Sequence, residues 1–118
     1  MSLQFEYQNN KVQKILCNHS ELQKRVGPEL GKKIILRLNQ LEAAENFNMY
    51  LTKITLGKPH PLNCDLDNCF GISITGNYRI VVEPLYTKLD IESLKECKVV
   101  KIKGVLDYHG EKNEWLIP

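Results

Sequence analysis

The chain has 118 residues, of which 42% are hydrophobic and 25% charged, a profile typical of one soluble globular domain with no room for a second. No window approaches the roughly 20 consecutive apolar residues of a membrane-spanning helix, and the first residues carry no apolar signal core, so we expect a cytoplasmic protein. The formal charge of +2 is too small to indicate nucleic-acid binding by itself. Residues 1–58 hold nine Lys/Arg against five Asp/Glu, which predicts the basic surface in the first half.

The first half of the chain predicts a short edge strand followed by a helical hairpin. Apolar and polar residues alternate from Leu3 to Tyr7, the period of a strand with one buried face. From Lys11 to Val26 the apolar spacing suits a helix, with Asn9 or Asn10 as its N-cap. Gly27-Pro28 ends that helix, and a second is predicted from about residue 29 to about residue 47.

The second half predicts an antiparallel meander. Alternation in Phe70–Thr75 and in Tyr78–Glu83 indicates two strands, joined by a tight turn at Gly76-Asn77. Residues 85–98 form a connection that could hold a short helix capped by Asp90, and the last strand is predicted from Val99 to Tyr108. We therefore expect a single α+β domain over residues 1–118, with two helices on one face of a twisted sheet and the other face partly open.

Alternation along the last strand predicts which side chains share the open face. Lys101, Lys103, Val105 and Asp107 fall on one side, opposite Val100, Ile102, Leu106 and Tyr108. Arg79 emerges on the face shared with Val81 and Glu83, and these phases bring Arg79 and Asp107 together. The Arg79 guanidinium could hold a phosphate through two parallel hydrogen bonds, or could simply pair with Glu83.

Two histidines lead the candidates for proton transfer, because an unperturbed imidazole titrates near neutrality. His60 lies between two prolines, in a stiff extended segment, and can equally be a surface loop residue. His109 ends the last strand, where Asp107 could orient its ring, and can equally be a polar strand terminus.

Other features have an ordinary structural interpretation that we favour. The cations of the two helices are expected on solvated faces rather than in a phosphate-binding surface. The four cysteines form no CxxC pair and have no histidine cluster nearby, which favours free thiols over a metal site. Trp115, in a polar tail, is expected to anchor the terminus rather than to stack on a partner.

Three linked motifs carry a family resemblance. They are Pro59-His60-Pro61-Leu62, the segment 70–80 that reads FGISITGNYRI, and Asp107-Tyr108-His109 at the end of the last strand. In this order and on these predicted elements, the chain resembles the HigB-like host-killing toxins of the RelE/ParE superfamily. The resemblance covers about residues 3–83 and 99–109.

The resemblance implies a bacterial type II toxin that cleaves mRNA in the decoding site of the ribosome, without a metal or cofactor. The ribose 2′-hydroxyl would attack the adjacent phosphate and leave a cyclic phosphate. By position, His60 and His109 would transfer protons, Arg79 would hold the scissile phosphate and Asp107 would orient the site. A second set would bind substrate: Tyr108, Asn63, Lys101 and Lys103. The implied partners are the ribosome, mRNA and a small helix-turn-helix antitoxin that reaches operator DNA in complex with the toxin.

The chain departs from this family in three places, which keeps two alternatives open. Asn63 stands where relatives carry a lysine, and Asp65 and Asp67 follow where relatives are basic. Carboxylates at those positions weaken binding to a polyanion. The connection at 85–98 is long, and residues 110–118 extend past the usual end and could cover the site. The alternatives are a ParE-like inhibitor of DNA gyrase that does not cleave RNA, and a degenerate toxin that serves as an antitoxin-binding module.

Overall fold

The structure, a computed structural model, describes residues 3–62, 68–85, 97–109 and 112–117, with Tyr108, His109, Lys112 and Asn113 described by their backbone alone. Its helices are α1 (Asn10–Leu16), α2 (His19–Val26), α3 (Pro28–Glu42) and α4 (Phe47–Met49), the last continuing into a π-helical turn at Tyr50–Ile54. Its strands are β1 (Gln4–Tyr7), β2 (His60–Pro61), β3 (Phe70–Thr75), β4 (Tyr78–Pro84), β5 (Val99–His109) and β6 (Lys112–Ile117). The α+β class is confirmed, whereas the predicted helix at 90–96 lies outside the described residues.

The six described strands form one sheet in the order β2, β3, β4, β5, β1, with β6 also pairing with β5. All neighbouring pairs are antiparallel except β1 and β5, which are parallel. Because β5 has 11 residues and β1 only four, β1 covers one part of the β5 edge and β6 covers another. The C-terminal segment therefore extends the sheet sideways through its backbone hydrogen bonds.

The predicted helix from Lys11 to Val26 is two helices. The Asn9 side chain caps α1 by accepting a hydrogen bond from the Val12 amide at 2.9 Å, as predicted. Asn18 then caps α2 by accepting from the Glu21 amide at 3.2 Å. Asn18 itself has an extended backbone, with φ −124° and ψ 109°, so it separates the two helices.

The main core lies between the helices and one face of the sheet, which we call the helix face. Ile34, Leu38 and Leu41 of α3 are buried, as its predicted apolar stripe requires. The α3 helix ends at Glu42, shorter than predicted, and Phe47 belongs to α4 instead, where it contacts the Phe70 ring edge-on at a centroid distance of 5.0 Å. Buried residues of β3, β4 and β5 complete this core.

A bulge in β5 changes which face its side chains occupy. Val81 pairs with Gly104, but the next residue, Val82, pairs with Ile102, so Lys103 is an extra residue in β5. On the N-terminal side of the bulge, Ile102 is buried in the main core. On its C-terminal side, Val105 is the residue buried there. Leu106 consequently lies on the opposite face, and the predicted grouping of Leu106 with Ile102 is wrong.

The β6 strand is held at both of its sides. Ile117 is fully buried in the main core, and its backbone pairs with Val105. The Arg25 guanidinium of α2 donates from Nε to the Leu116 carbonyl at 3.1 Å. Gly104 makes the junction possible, because it has φ +145° and a Cβ there would collide with the Ile117 carbonyl oxygen.

Candidate active site

The face of the sheet away from the helices, which we call the open face, has a small apolar floor with polar groups around it. Four buried residues form the floor: Leu62, Cys69, Val81 and Leu106. Directly opposed residues on neighbouring strands share a face, so strand register identifies the groups beside this floor. The register places His60, Arg79 and Lys101 on the open face, as the following pairs show.

The ring of His60 is positioned beside the floor by contacts with nearby backbone. Its pair partner Gly71 has no side chain, and the His60 Cε1 atom lies 3.6 Å from the place of a Cβ at Gly71. The His60 Nδ1 lies 3.1 Å from the Lys58 carbonyl oxygen. Since a carbonyl oxygen only accepts, Nδ1 is the donor in this contact. In the tautomer that carries its proton on Nδ1, Nε2 of the exposed ring is the atom that accepts a proton.

The segment before His60 is fixed by a close approach to β3. The Gly57 carbonyl accepts a hydrogen bond from the Ser73 amide at 2.7 Å. Gly57 has φ +79°, and a Cβ there would lie 2.8 Å from the Ser73 carbonyl oxygen, so only glycine fits without displacing β3. The backbone is therefore hydrogen-bonded on both sides of His60, at Gly57 to β3 and at Leu62 to the carbonyl of Cys69, which directly precedes β3.

Arg79 occupies the open face opposite Ser73 and Leu106. Its Nη1 donates to the Gly76 carbonyl at 2.9 Å and to the Tyr78 carbonyl at 3.0 Å. The guanidinium is thus turned toward the hairpin at Gly76, whose φ of +52° suits the two-residue turn that the sequence predicted.

The two predicted substrate-binding lysines of β5 lie beside a carboxylate. Lys101 pairs in register with Glu83 of β4. Lys103 forms an ion pair with Glu83, Nζ to Oε1 at 3.1 Å, which gives Glu83 a different cation from the Arg79 considered in the sequence analysis. This pair is partly exposed and contributes at most about 1 kcal/mol, so it is readily exchanged for contacts with a phosphate.

Asp107 lies on the other side of the sheet from Arg79. Asp107 pairs with Tyr78, whereas Arg79 pairs with Leu106, and adjacent residues of a strand point to opposite faces. The predicted convergence of Arg79 and Asp107 is therefore wrong, and the bulge at Lys103 is the physical reason, because it reverses the side-chain phase in the second half of β5. The Asp107 Oδ1 atom is buried in its place on the helix face.

Three candidates have positions that only the backbone or the sequence gives. Tyr108 and His109 continue β5, in register with Asn113 and Lys112 of β6, and their side chains lie outside the described part of the structure. Asn63 lies outside the described residues altogether. The roles given to these three residues stay predictions.

Trp115 lies on the open face, a position that differs from its predicted role as the anchor of the terminus. It pairs in register with Leu106, itself opposite Arg79, and 43% of its surface is exposed. Ile117, fully buried, anchors the C-terminal segment instead. The available signal was the apolar run Trp115-Leu116-Ile117, which indicates a strand rather than a tail.

A cleft of about 600 Å³ lies elsewhere, on the helix face, between the corner joining α2 to α3 and the β3–β4 hairpin. Glu29, Lys33 and Tyr78 are among its lining residues, and no predicted proton-transfer residue is. We therefore locate the candidate active site by the cation and imidazole of the open face rather than by this cleft. None of the described helices is both long and apolar enough to span a membrane.

Comparisons with known proteins define a class at the level of fold. No protein-family model matches the sequence, and no curated protein is significantly similar to it. Among solved structures, a YoeB/ParE toxin from Agrobacterium tumefaciens is 16% identical, with a TM-score of 0.54, over 91% of this chain and 100% of that one. A YoeB–YefM complex from Staphylococcus aureus contains a chain that is also 16% identical, with a TM-score of 0.50, over 91% of this chain and 97% of that one. The chain thus has the fold of YoeB/ParE-type toxins.

Proposed function

We propose that this protein is the toxin of a type II toxin–antitoxin system and that it cleaves mRNA on the ribosome. One observation carries the proposal. In a chain with the fold of YoeB/ParE-type toxins, His60 of β2 and Arg79 of β4 lie on the same face of the sheet, the open face. Strand spacings give a separation of roughly 12 Å between the backbone positions of His60 and Arg79, which leaves room for a ribose and its phosphate between the two side chains. The assignment to the HigB-like subgroup rests on the sequence motifs.

The reaction we propose needs only proton transfer and charge stabilisation. His60 Nε2 takes the proton of a ribose 2′-hydroxyl, and the 2′-oxygen attacks the adjacent phosphorus. The bond from phosphorus to the 5′-oxygen of the next nucleotide breaks, and His109 gives that oxygen a proton. The products are a cyclic phosphate and a free 5′-hydroxyl. No electron transfer and no metal are required by this balance.

Arg79 would stabilise the charge that develops on the phosphate. To do so it exchanges two hydrogen bonds to the Gly76 and Tyr78 carbonyls for bonds to phosphate oxygens. The guanidinium is a charged donor in both cases, but a phosphate adds an opposite charge and accepts two parallel bonds from the planar group, so the exchange is favourable. Lys101 and Lys103 would hold neighbouring phosphates, while Asp107 would act from the helix face by fixing the end of β5.

The partner we propose is a protein antitoxin. The Staphylococcus aureus structure is a complex of YoeB with YefM, which supports a corresponding complex for this chain. The family resemblance adds that the antitoxin is a small helix-turn-helix protein, which would bind operator DNA, and that the toxin acts on ribosome-bound mRNA in the cytoplasm.

The test is cleavage of mRNA in a reconstituted translation reaction, with 5′ ends mapped and ribosome-free RNA in parallel. We expect cuts only with ribosomes. His60→Gln cannot accept a proton and should cut about 10²–10⁴-fold more slowly, and Arg79→Ala about 10²–10³-fold more slowly. His19→Ala and Lys32→Ala are matched controls, since both residues are exposed on the helical layer and should cut at the wild-type rate. Intact mRNA with folded wild-type protein would refute the nuclease proposal.

One observation favours the gyrase alternative. The predicted catalytic set is not assembled on a single face, because Asp107 lies opposite Tyr78 and away from Arg79. Supercoiling by purified DNA gyrase in the presence of the protein is the discriminating measurement. Inhibition of supercoiling together with intact mRNA would establish the alternative.

A further inference from the structure

Trp115 forms part of a row of side chains across the open face. Register pairs join Ser73 to Arg79, Arg79 to Leu106 and Leu106 to Trp115, on four successive strands. Trp115 and Arg79 are two strands apart, a separation of about 10 Å that one or two nucleotides span. The added strand β6 therefore brings an aromatic ring beside the cation of the candidate site.

The indole has one side supported and much of its surface open. Its Cε3 atom lies 3.3 Å from where a Cβ would stand on Gly104, so the ring rests over a position without a side chain. The exposed fraction of Trp115 is 43%, whereas Leu106 beside it is buried. Because Ile117 already anchors the strand in the core, the exposed indole surface has no packing role that the fold requires.

The charges around Trp115 favour a polyanion. On the open face, three cations, Arg79, Lys101 and Lys103, stand against two carboxylates, Glu83 and Glu6, the latter paired in register with Lys101 at the far end of β5 from Trp115. The carboxylate of β6, Glu114, pairs with Asp107 and so lies on the other face. An exposed aromatic ring beside cations is the arrangement by which proteins bind single-stranded nucleic acid, with phosphates on the cations and a base stacked on the ring.

We propose that Trp115 is a base-stacking residue, which binds the nucleobase of a nucleotide next to the phosphate held by Arg79. This inference rests on the proposed function, since it assumes that the strand on the open face is RNA. It gives the C-terminal extension a role in substrate binding through its backbone placement on β5. The extension thereby adds a contact beside the site, where Trp115 pairs in register with the buried Leu106.

Fluorescence tests the proposal directly, because Trp115 is the only tryptophan of the chain. The probe is a short single-stranded 2′-O-methyl RNA, which cannot be cleaved because its 2′-oxygen cannot lose a proton. A stacked base should quench the emission saturably. An abasic oligonucleotide of the same length offers phosphates alone and should leave the emission nearly unchanged.

Variants give an independent readout through the anisotropy of labelled RNA. Trp115→Ala should weaken binding roughly 5- to 150-fold, and Trp115→Phe, which keeps a stacking ring, should restore most of the affinity. Leu36→Ala is the matched control, since Leu36 is 54% exposed on α3, and it should bind like wild type. Circular dichroism verifies that each variant is folded.

Several outcomes would overturn the inference without touching the nuclease proposal. These are equal quenching by RNA and by the abasic oligonucleotide, wild-type RNA affinity in Trp115→Ala, and quenching by a protein partner but not by RNA, which would make the indole an antitoxin contact. Conversely, saturable base-dependent quenching with no cleavage of ribosome-bound mRNA would refute the nuclease proposal and support the stacking role.

Discussion

Tyr50 shows how burial of a single polar group makes the stability of this fold depend on pH. Its side chain is fully buried, and its hydroxyl donates a hydrogen bond to the Leu56 carbonyl. Burial raises the pKa of Tyr50 to about 12, against a smaller lowering by the Arg37 charge. Burial also raises the pKa of Tyr7, whose hydroxyl oxygen lies 3.3 Å from the Cys17 sulfur. At both positions the folded state favours the neutral phenol.

This environment predicts alkaline destabilisation. The folded pKa of Tyr50 exceeds the unfolded value of 10, so its contribution is fully present below pH 10 and is lost as the pH rises toward 12. Between pH 10 and pH 12, the ionisation of Tyr50 should lower the free energy of unfolding by about 2–3 kcal/mol. Urea unfolding at a series of pH values measures this loss. Tyr50→Phe has no phenol to ionise and should lose less, with Tyr7→Phe for comparison. Equal pH dependence in Tyr50→Phe and wild type would contradict the assignment.

At the scale of elements, the break between α1 and α2 depends on a local cap. Apolar periodicity alone runs through from Lys11 to Val26, since residues on both sides of the break face the same core. Asn18 offers an alternative to helix continuation, because its side chain satisfies the Glu21 amide while its own backbone is extended. The site benefits indirectly, since Arg25 near the end of α2 reaches the Leu116 carbonyl of β6.

Removing this cap should cost stability in a predictable amount. Asn18→Ala leaves the first amides of α2 without a side-chain acceptor and should lower the free energy of unfolding by about 1 kcal/mol. Asn9→Ala, at the equivalent position of α1, should give a loss of similar size. Denaturant unfolding measures both. An unchanged Asn18→Ala protein with increased helical circular dichroism would indicate that the two helices fuse, contrary to this account.

At the scale of the whole molecule, β5 is the strand on which the architecture depends. It pairs with β4 along one edge and with β1 and β6 along the other. Its bulge and the glycine beside it determine both the face on which each candidate residue lies and how closely β6 approaches. The placement of β6, the burial of Ile117 and the position of Trp115 beside the candidate site therefore all depend on Gly104.

Gly104→Ala tests that dependence, and Gly27→Ala is its matched control. Both glycines have positive φ, +145° and +90°, but a Cβ on Gly27 meets nothing within 4 Å, whereas one on Gly104 collides with the Ile117 carbonyl. Gly27→Ala should cost about 1–3 kcal/mol through backbone strain. Gly104→Ala should cost more, through displaced burial of Ile117 of about 2–3 kcal/mol, and should shift the Trp115 emission. Equal losses in the two variants would show that β6 does not depend on this contact.

Much of the local structure follows from the sequence by itself. The cap at Asn9, the apolar stripe of α3, the turn at Gly76 and the strand beginning at Val99 all depend on neighbours within a few residues, and the structure has each of them. The sequence indicates His60 and Arg79 as candidates for the same reason, since a histidine between prolines and an arginine inside an apolar strand are both unusual in their local context.

The assembly of the site was decided only by the tertiary structure. Val105 and Leu106 are both apolar and both buried, but in clusters on opposite faces of the sheet, so no alternation in the sequence reveals that the phase changes at Lys103. That change separates Asp107 from Arg79, and the pairing of β6 with the free part of the β5 edge brings in Trp115. Both outcomes depend on hydrogen bonds between strands that are distant in sequence, and such pairing leaves little trace in local residue patterns.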